Sequence, residues 1–534
     1  MAIRGLYSIL AIGSGLLSPN AASAEVDAGK IARLDTVFAQ WSGTASPGCA
    51  VSVVQRGEKL AERVYGAADL DLDVKAQIDS IYEAGSASKQ FTAAAIILLA
   101  RDGKLGLDDD IRKYLPELPD YGQRVTIRHM LHHVSGLRDW GGVSVIDGWP
   151  RNSRSSTNAD VLDILARQTA LNFAPGSHYL YSNSNYNLLA IVVQRVSGES
   201  LAVFAKARIF APLGMDDTRW RDAHATIVPR RAHAYNREGK AYVVAQTIEN
   251  AYGNAGLLTT VHDLQLWNAA LDADRLGPGF TSEMERGIDL KGGERITYAS
   301  GLFETRYQGL REVSHGGATG GYRAWLARYP AQRLSIALLC NAGDVSPVPI
   351  GHRVADIFLP DYRAAVVEQA QARRPDGLYV NSVSGSPVRF SSANGLLSID
   401  GRQQQATASG KWKASGGSYL FSEKSELTFE TEQGETIVFR KVDFSPHSNM
   451  EDYTGRYCSI DRNGCISIRY SKGRILLQIA RMPDLGLDHI YGDVFTFQPD
   501  GLVNFIRDLR GKISSLIYGD SRNYTMQFSR APGN

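Results

Sequence analysis

The run Phe91-Thr92-Ala93-Ala94-Ala95-Ile96-Ile97-Leu98-Leu99-Ala100 constrains this chain most. It is rich in helix formers, apolar almost all round, and stops at Arg101-Asp102-Gly103. A helix apolar on every side has to be buried. The residues just ahead, Gly85-Ser86-Ala87-Ser88-Lys89, place Ser86 at the N-terminus of that helix. Residues three apart share a helix face, so the Lys89 amine comes within reach of the Ser86 hydroxyl. The free amides and positive dipole end of the helix favour negative charge developing there. A serine hydroxyl is a weak nucleophile until a base takes its proton, and a lysine serves if burial lowers its pKa. Ser-x-x-Lys alone is a short pattern of common residues, and a capping serine with a surface lysine would spell it equally well.

Two later segments strengthen the chemical reading. Phe173-Ala174-Pro175-Gly176-Ser177-His178-Tyr179-Leu180-Tyr181-Ser182-Asn183 leads through a turn into a helix-like run at Leu188–Val196. A tyrosine beside a lysine ammonium can have a lowered pKa and act as a base. An asparagine can donate to a substrate carbonyl and accept from the lysine. The third segment is His315-Gly316-Gly317-Ala318-Thr319-Gly320-Gly321-Tyr322. Its glycines allow close backbone approach and free the amides around Ala318 for hydrogen bonding. Paired with the Ser86 amide, such an amide forms an oxyanion hole.

In this order and at these separations, Ser-x-x-Lys, Tyr-x-Asn and His-Gly-Gly resemble the three motifs of the penicillin-recognising serine hydrolases. The surroundings resemble the class C β-lactamase-related branch: Gly85-Ser86-Ala87-Ser88-Lys89-Gln90-Phe91-Thr92, His133-Val134-Ser135-Gly136-Leu137, Pro175-Gly176, and Asn254-Ala255-Gly256-Leu257-Leu258 followed by Asp263. The match covers roughly residues 30–360. The resemblance implies Ser86 as nucleophile, with Lys89 and Tyr181 sharing proton transfer. It implies that Asn183 orients substrate and lysine, that His315 replaces the lysine of the third motif, and that Gly317, Ala318 and Asn254 line the substrate and oxyanion region. A histidine near its ordinary value of ~6.5 is mostly neutral at slightly alkaline pH and attracts a carboxylate less than lysine does. That favours uncharged amides or esters over substrates with a free carboxylate.

The fold class expected is α+β: a β-lactamase/transpeptidase-like domain, its antiparallel sheet built from both chain ends and flanked by a helical region, followed by two small antiparallel β-barrel units. Strand-like runs at 48–58, 59–65, Tyr322–Tyr329 and Leu334–Cys340 bracket helical and loop-rich sequence from about 104 to 290, with a last helix near 351–359. The boundaries drawn are a signal peptide at 1–24, the hydrolase-like domain at 25–362, a linker at Ala364–Arg374, and β units at 375–445 and 449–534. The signal peptide rests on Arg4, the apolar stretch Gly5–Leu17, Pro19 and the cleavage pattern Ala22-Ser23-Ala24. Export to the periplasm or medium follows. The β units rest on short alternating runs and a faint repeat, Gly377-Leu378-Tyr379 against Gly455-Arg456-Tyr457. This architecture resembles the D-stereospecific aminopeptidases of the superfamily. In that group the last barrel sends a loop into the active site, where it helps select a free amino group. The corresponding connection here, around Thr496-Phe497-Gln498-Pro499-Asp500-Gly501, reads as a tight turn.

Of the four cysteines, Cys458 and Cys465 flank an Asn-Gly turn signal and can close a hairpin, whereas Cys49 and Cys340 read as buried thiols in separate strands. His129, His132 and His133 fall at helical spacing, but no carboxylate or cysteine pattern completes a metal site. No cofactor and no metal are called for. A net charge of +2 over 534 residues gives no electrostatic basis for a nucleic-acid partner. No segment after the leader is long and apolar enough to span a membrane, and the oligomeric state is open. The substrate expected is a small peptide, amide or ester, D-residue substrates among them. A D-aminopeptidase, an esterase, a D-Ala-D-Ala-type carboxypeptidase and a β-lactamase all fit the motifs. A non-catalytic cell-wall or ligand-binding protein is the alternative of another class.

Overall fold

The computed structural model describes residues 27–532, apart from 360–374 and short connections at 394–395, 405–409, 415–416, 422–426, 432–435, 444–448, 462–463 and 499–500. The expected signal peptide and the Ala364–Arg374 linker lie outside the described residues.

Six strands form the central antiparallel sheet: β1 (Cys49–Gln55), β2 (Glu58–Val64), β3 (Phe303–Tyr307), β4 (Leu310–Thr319), β5 (Tyr322–Tyr329) and β6 (Leu334–Cys340). Their order is β3-β4-β5-β6-β1-β2, so both ends of the domain meet at the β6–β1 pair. Strand side chains alternate between faces. Val51, Val53, Trp325, Ile336 and Leu338 face one layer with helices α1 (Ala28–Val37) and α5 (Pro347–Phe358). Ala50, Ala324, Leu326, Ala337 and Leu339 belong to the opposite core, with α2 (Lys89–Arg101), α3 (Asn183–Ser197) and α4 (Val261–Asp272). The residues of α2 from Lys89 to Leu99 are all buried, as its all-round apolar sequence requires. The intervening region also holds short strands that the helical pattern concealed, among them Tyr235–Glu238, Ala241–Val244 and Leu257–Thr259.

Cys49 and Cys340 are not free thiols. The register of β1 against β6 sets them opposite each other, and they form a disulfide with S–S 2.08 Å across 291 residues. Each strand looked self-contained in sequence; only their pairing reveals the bond. Cys458 and Cys465 face each other in the same way and are also bonded.

The two C-terminal units differ in closure. Strands between Gly377 and Val442 make an eight-stranded antiparallel sheet that is nearly closed, around its own small core of Tyr379, Val388, Phe390, Leu397 and Trp412. Strands between Gly455 and Arg530 close into an eight-stranded barrel. The apolar core of this barrel is continuous with that of the hydrolase-like domain. A fully buried ion pair joins them, Arg138 to Asp461, with side chains 1% and 0% exposed. Arg138 also donates to Gln168 Oε1 and to the Thr525 carbonyl, and Thr169 N donates to Asp461. A Cβ on Gly142 would lie 2.1 Å from the Asn523 amide nitrogen, so the two units touch closely there.

Candidate active site

Ser86 sits in the one-turn segment Gly85–Ser88 that runs straight into α2. Gly85 has φ +52°, and a Cβ there would lie 2.7 Å from Ala318 N. A Cβ on Gly317 would lie 2.0 Å from the Ala84 carbonyl and 3.2 Å from Ser86 N. Only glycines let β4 cross the nucleophile turn this closely, and the crossing gathers the Ser86 and Ala318 amides.

The Lys89 side chain is wholly buried, and its Nζ lies 3.2 Å from Ser86 Oγ. It donates to Asn183 Oδ1 at 2.9 Å and to the Asn254 carbonyl at 2.7 Å. Two acceptors use the two hydrogens of a neutral amine and leave its lone pair for the serine. Burial holds the Lys89 pKa well below the usual lysine range, and the Arg522 and Arg151 guanidiniums push it the same way. Asn183 is fixed in turn by Asp139: its backbone N–H, the first amide of α3, donates to Asp139 Oδ2 at 2.7 Å. A carboxylate there suits the positive end of that helix.

Tyr181 packs over the lysine, with Lys89 Nζ 4.7 Å from its ring centre. Its pKa moves opposite to the sequence expectation. Burial pushes the phenol up to about 12, while the Ser86 hydroxyl and Arg522 act against that rise. Tyr181 is therefore a neutral phenol next to a neutral amine, and the lysine is the available base.

His315 lies on strand β4 and is buried. Burial, the largest cause, takes it down to about 3. Nδ1 lies 2.5 Å from the Gly316 carbonyl, which can only accept, so Nδ1 carries the proton and Nε2 accepts from Tyr298 Oη at 3.2 Å. Both nitrogens are thus engaged within the protein. This arrangement leaves His315 no free ring N–H to offer a substrate.

Asn254 also differs from its expected role. Among the contacts described, its carbonyl holds Lys89 and its side-chain Oδ1 accepts from Asn187 Nδ2 at 2.8 Å. It positions the lysine from behind and does not line the cleft. The three histidines part ways. His129 caps a helix at Thr126, His132 bridges the Arg128 and Arg286 carbonyls, and His133 packs 4.2 Å from the Tyr181 ring. Among the described residues no cluster of three or more His, Cys, Asp or Glu is placed to hold a metal.

Ser86, Tyr181, His315, Gly317 and Ala318 line one open cleft of about 880 Å³. Ser521, Arg522 and Tyr524 of the last barrel line it too. The Arg522 guanidinium stacks 5.2 Å from the centre of the Tyr181 ring, and its Nη1 lies 3.4 Å from Asp139 Oδ2. Among the described residues, the connection of the last barrel that reaches the site is the turn between the strands Ile513–Asp520 and Asn523–Arg530. Pro499 and Asp500 of the connection near Thr496–Gly501 lie outside the described residues. Nothing in the sequence of the barrel marks Arg522; its only signal is spatial. Asp139 and its hold on Asn183 were not foreseen from the sequence either.

Comparison with known proteins agrees with this geometry. The chain is 31% identical over 320 residues to Penicillin-binding protein 4* of Bacillus subtilis (strain 168), covering 57% of this chain and 68% of that protein. It is 30% identical over 297 residues to a D-aminopeptidase of Brucella anthropi, covering 55% of this chain and 56% of the relative. Among solved structures, the octameric penicillin-binding protein homologue from Pyrococcus abyssi superposes with TM-score 0.54 at 19% identity, over 94% of this chain and 98% of the other. The D-amino acid amidase from Ochrobactrum anthropi SV3 gives 0.52 at 23% identity, over 62% of this chain and 98% of the other. At these identities the structures speak for the fold. The Beta-lactamase family model matches residues 34–357, and the chain belongs to that family, as a serine hydrolase with two C-terminal β-barrel units.

Proposed function

We propose that this protein is an exported hydrolase that cleaves amide bonds through an acyl-Ser86 intermediate, acting on small peptides or amides with a D-residue on the acyl side. One observation carries the chemistry: a buried Lys89 amine whose hydrogens are taken by Asn183 and Asn254 and whose remaining face meets Ser86 Oγ at 3.2 Å. In the forward step Lys89 accepts the Ser86 proton as Oγ attacks the carbonyl carbon. The oxyanion takes hydrogen bonds from the Ser86 and Ala318 amides. Tyr181, a neutral phenol beside the lysine, passes a proton to the leaving nitrogen and regains one from Lys89. Water then attacks the acyl-serine by the same route in reverse. A non-catalytic binding protein would have no need of this arrangement.

The D-residue preference is supported by the D-aminopeptidase and D-amino acid amidase relatives. Two disulfides are consistent with an oxidising compartment, as the Ala22-Ser23-Ala24 pattern suggests. The test is a panel of D- and L-aminoacyl amides, short esters and a chromogenic cephalosporin, each assayed with wild type and Ser86→Ala. D-aminoacyl amides should rank first, and Ser86→Ala should abolish turnover. An L-preference, or unchanged rates in Ser86→Ala, contradicts the proposal.

A further inference from the structure

The charges facing the cleft are unevenly satisfied. The Arg323 guanidinium is spent on the Gly320, Tyr322 and Gly343 carbonyls. Asp344 accepts from Trp41 Nε1 and lies 3.6 Å from Arg237. His315 is neutral, with both ring nitrogens engaged. Arg522 is different. Its side chain stays 40% exposed at the cleft wall, and one Nη makes a long 3.4 Å contact with Asp139. Asp139 already accepts from Asn183 N at 2.7 Å and Gly141 N at 3.0 Å. Among the described residues the Nε and second Nη of Arg522 have no hydrogen-bond acceptor. A guanidinium is always charged and presents its donors as a planar fork that fits a carboxylate.

The tip that carries Arg522 is held rigidly. Asn172 Nδ2 donates to the Arg522 carbonyl at 3.1 Å, and Tyr524 N donates back to Asn172 Oδ1 at 2.9 Å. Asp139 N donates to Asn523 Oδ1 at 2.9 Å. The fork is thus placed by Asn523, by Tyr524 and by its own main chain. It lies against Tyr181, the residue that serves the leaving nitrogen, which puts it on the leaving-group half of the cleft.

We propose that Arg522, contributed by the C-terminal barrel, is the anion-binding specificity residue of the substrate cleft, taking a carboxylate on the leaving-group side of the scissile amide. This rests on the acyl-serine reading above. It reverses the preference for uncharged substrates drawn from His315 alone. The third motif no longer supplies a cation, and a different domain does. An ammonium group placed at the same wall would be repelled.

The test measures binding on a protein that cannot turn over. In Ser86→Ala, calorimetry gives Kd for D-alanyl-glycine and for D-alanyl-glycinamide with Arg522 present, with Arg522→Lys and with Arg522→Gln. The acid should bind about tenfold or more tighter than the amide with Arg522, as expected for a charged hydrogen-bonded pair. Arg522→Gln should lose that preference, and Arg522→Lys should keep part of it. An acid-to-amide ratio equal in all three proteins, no preference for the acid, or binding of neither dipeptide overturns the proposal. Labelling of wild-type Ser86 by an aryl phosphonate judges the acyl-serine reading separately. No label sinks that reading whatever the dipeptides do, and the binding ratio judges Arg522 whatever the label does.

Discussion

The Lys89 amine donates to the main-chain carbonyl of Asn254 at 2.7 Å, across 165 residues of sequence. A carbonyl held by the backbone cannot be removed by changing a side chain. Asn254→Ala should therefore leave that acceptor in place and lose only the brace from Asn187. Asn183→Ala removes an acceptor outright. We expect kcat to fall roughly tenfold to a hundredfold in Asn183→Ala, part of a general-base term of about 10²–10⁴. Asn254→Ala should fall less. Steady-state kinetics on one amide substrate checks the ranking, and an equal or larger loss in Asn254→Ala contradicts it.

The second prediction concerns pH. Lys89 must be neutral to accept the Ser86 proton, so activity falls as pH drops through its pKa. Arg522 helps hold that pKa down, second to burial. Removing the like charge in Arg522→Gln should raise it, and the acid limb of kcat should move to higher pH. Arg522→Lys should leave the limb near its wild-type place. A limb that does not move, or moves to lower pH, counts against this electrostatic role.

The motif residues were legible in sequence to different depths. Ser86 and Lys89 are one helix turn apart, so their contact follows from local geometry. Tyr181, Asn183 and His315 were legible through the family pattern, but their ionisation was not. An ordinary histidine value of ~6.5 says nothing of a buried ring beside a lysine. Asn254 was placed in the substrate and oxyanion region, whereas its main-chain carbonyl holds Lys89. The Cys49–Cys340 bond depends on the register between the two ends of the domain. Arg522 depends on how a barrel docks, which no local pattern records.

The docking itself makes a third prediction. Arg138 and Asp461 are almost fully excluded from water. Removing one partner leaves the other charge buried and unpaired, at a cost of about 3–5 kcal/mol. Asp461→Ala should therefore destabilise the unit formed by the hydrolase-like domain and the last barrel. The double replacement Arg138→Met with Asp461→Leu should cost less than Asp461→Ala alone. Denaturant unfolding followed by tryptophan fluorescence reads both, and additive losses would show that the pair is not coupled.

Export gives a fourth. Protein recovered from the periplasm or medium of its own host should begin at Glu25 by N-terminal sequencing. An intact Met1 terminus on a cytosolic product contradicts the proposed export.

The central claim is that a neutral, buried Lys89 activates Ser86. The most direct measurement is the pH dependence of covalent labelling by an uncharged aryl phosphonate, with the adduct located by mass spectrometry. The account predicts an adduct on Ser86, at a rate that is level through neutral and alkaline pH and falls only on the acid side, and no adduct in Lys89→Ala over the same time. A rate that keeps climbing toward the ordinary lysine value of ~10.4, or an adduct on another residue, would contradict it.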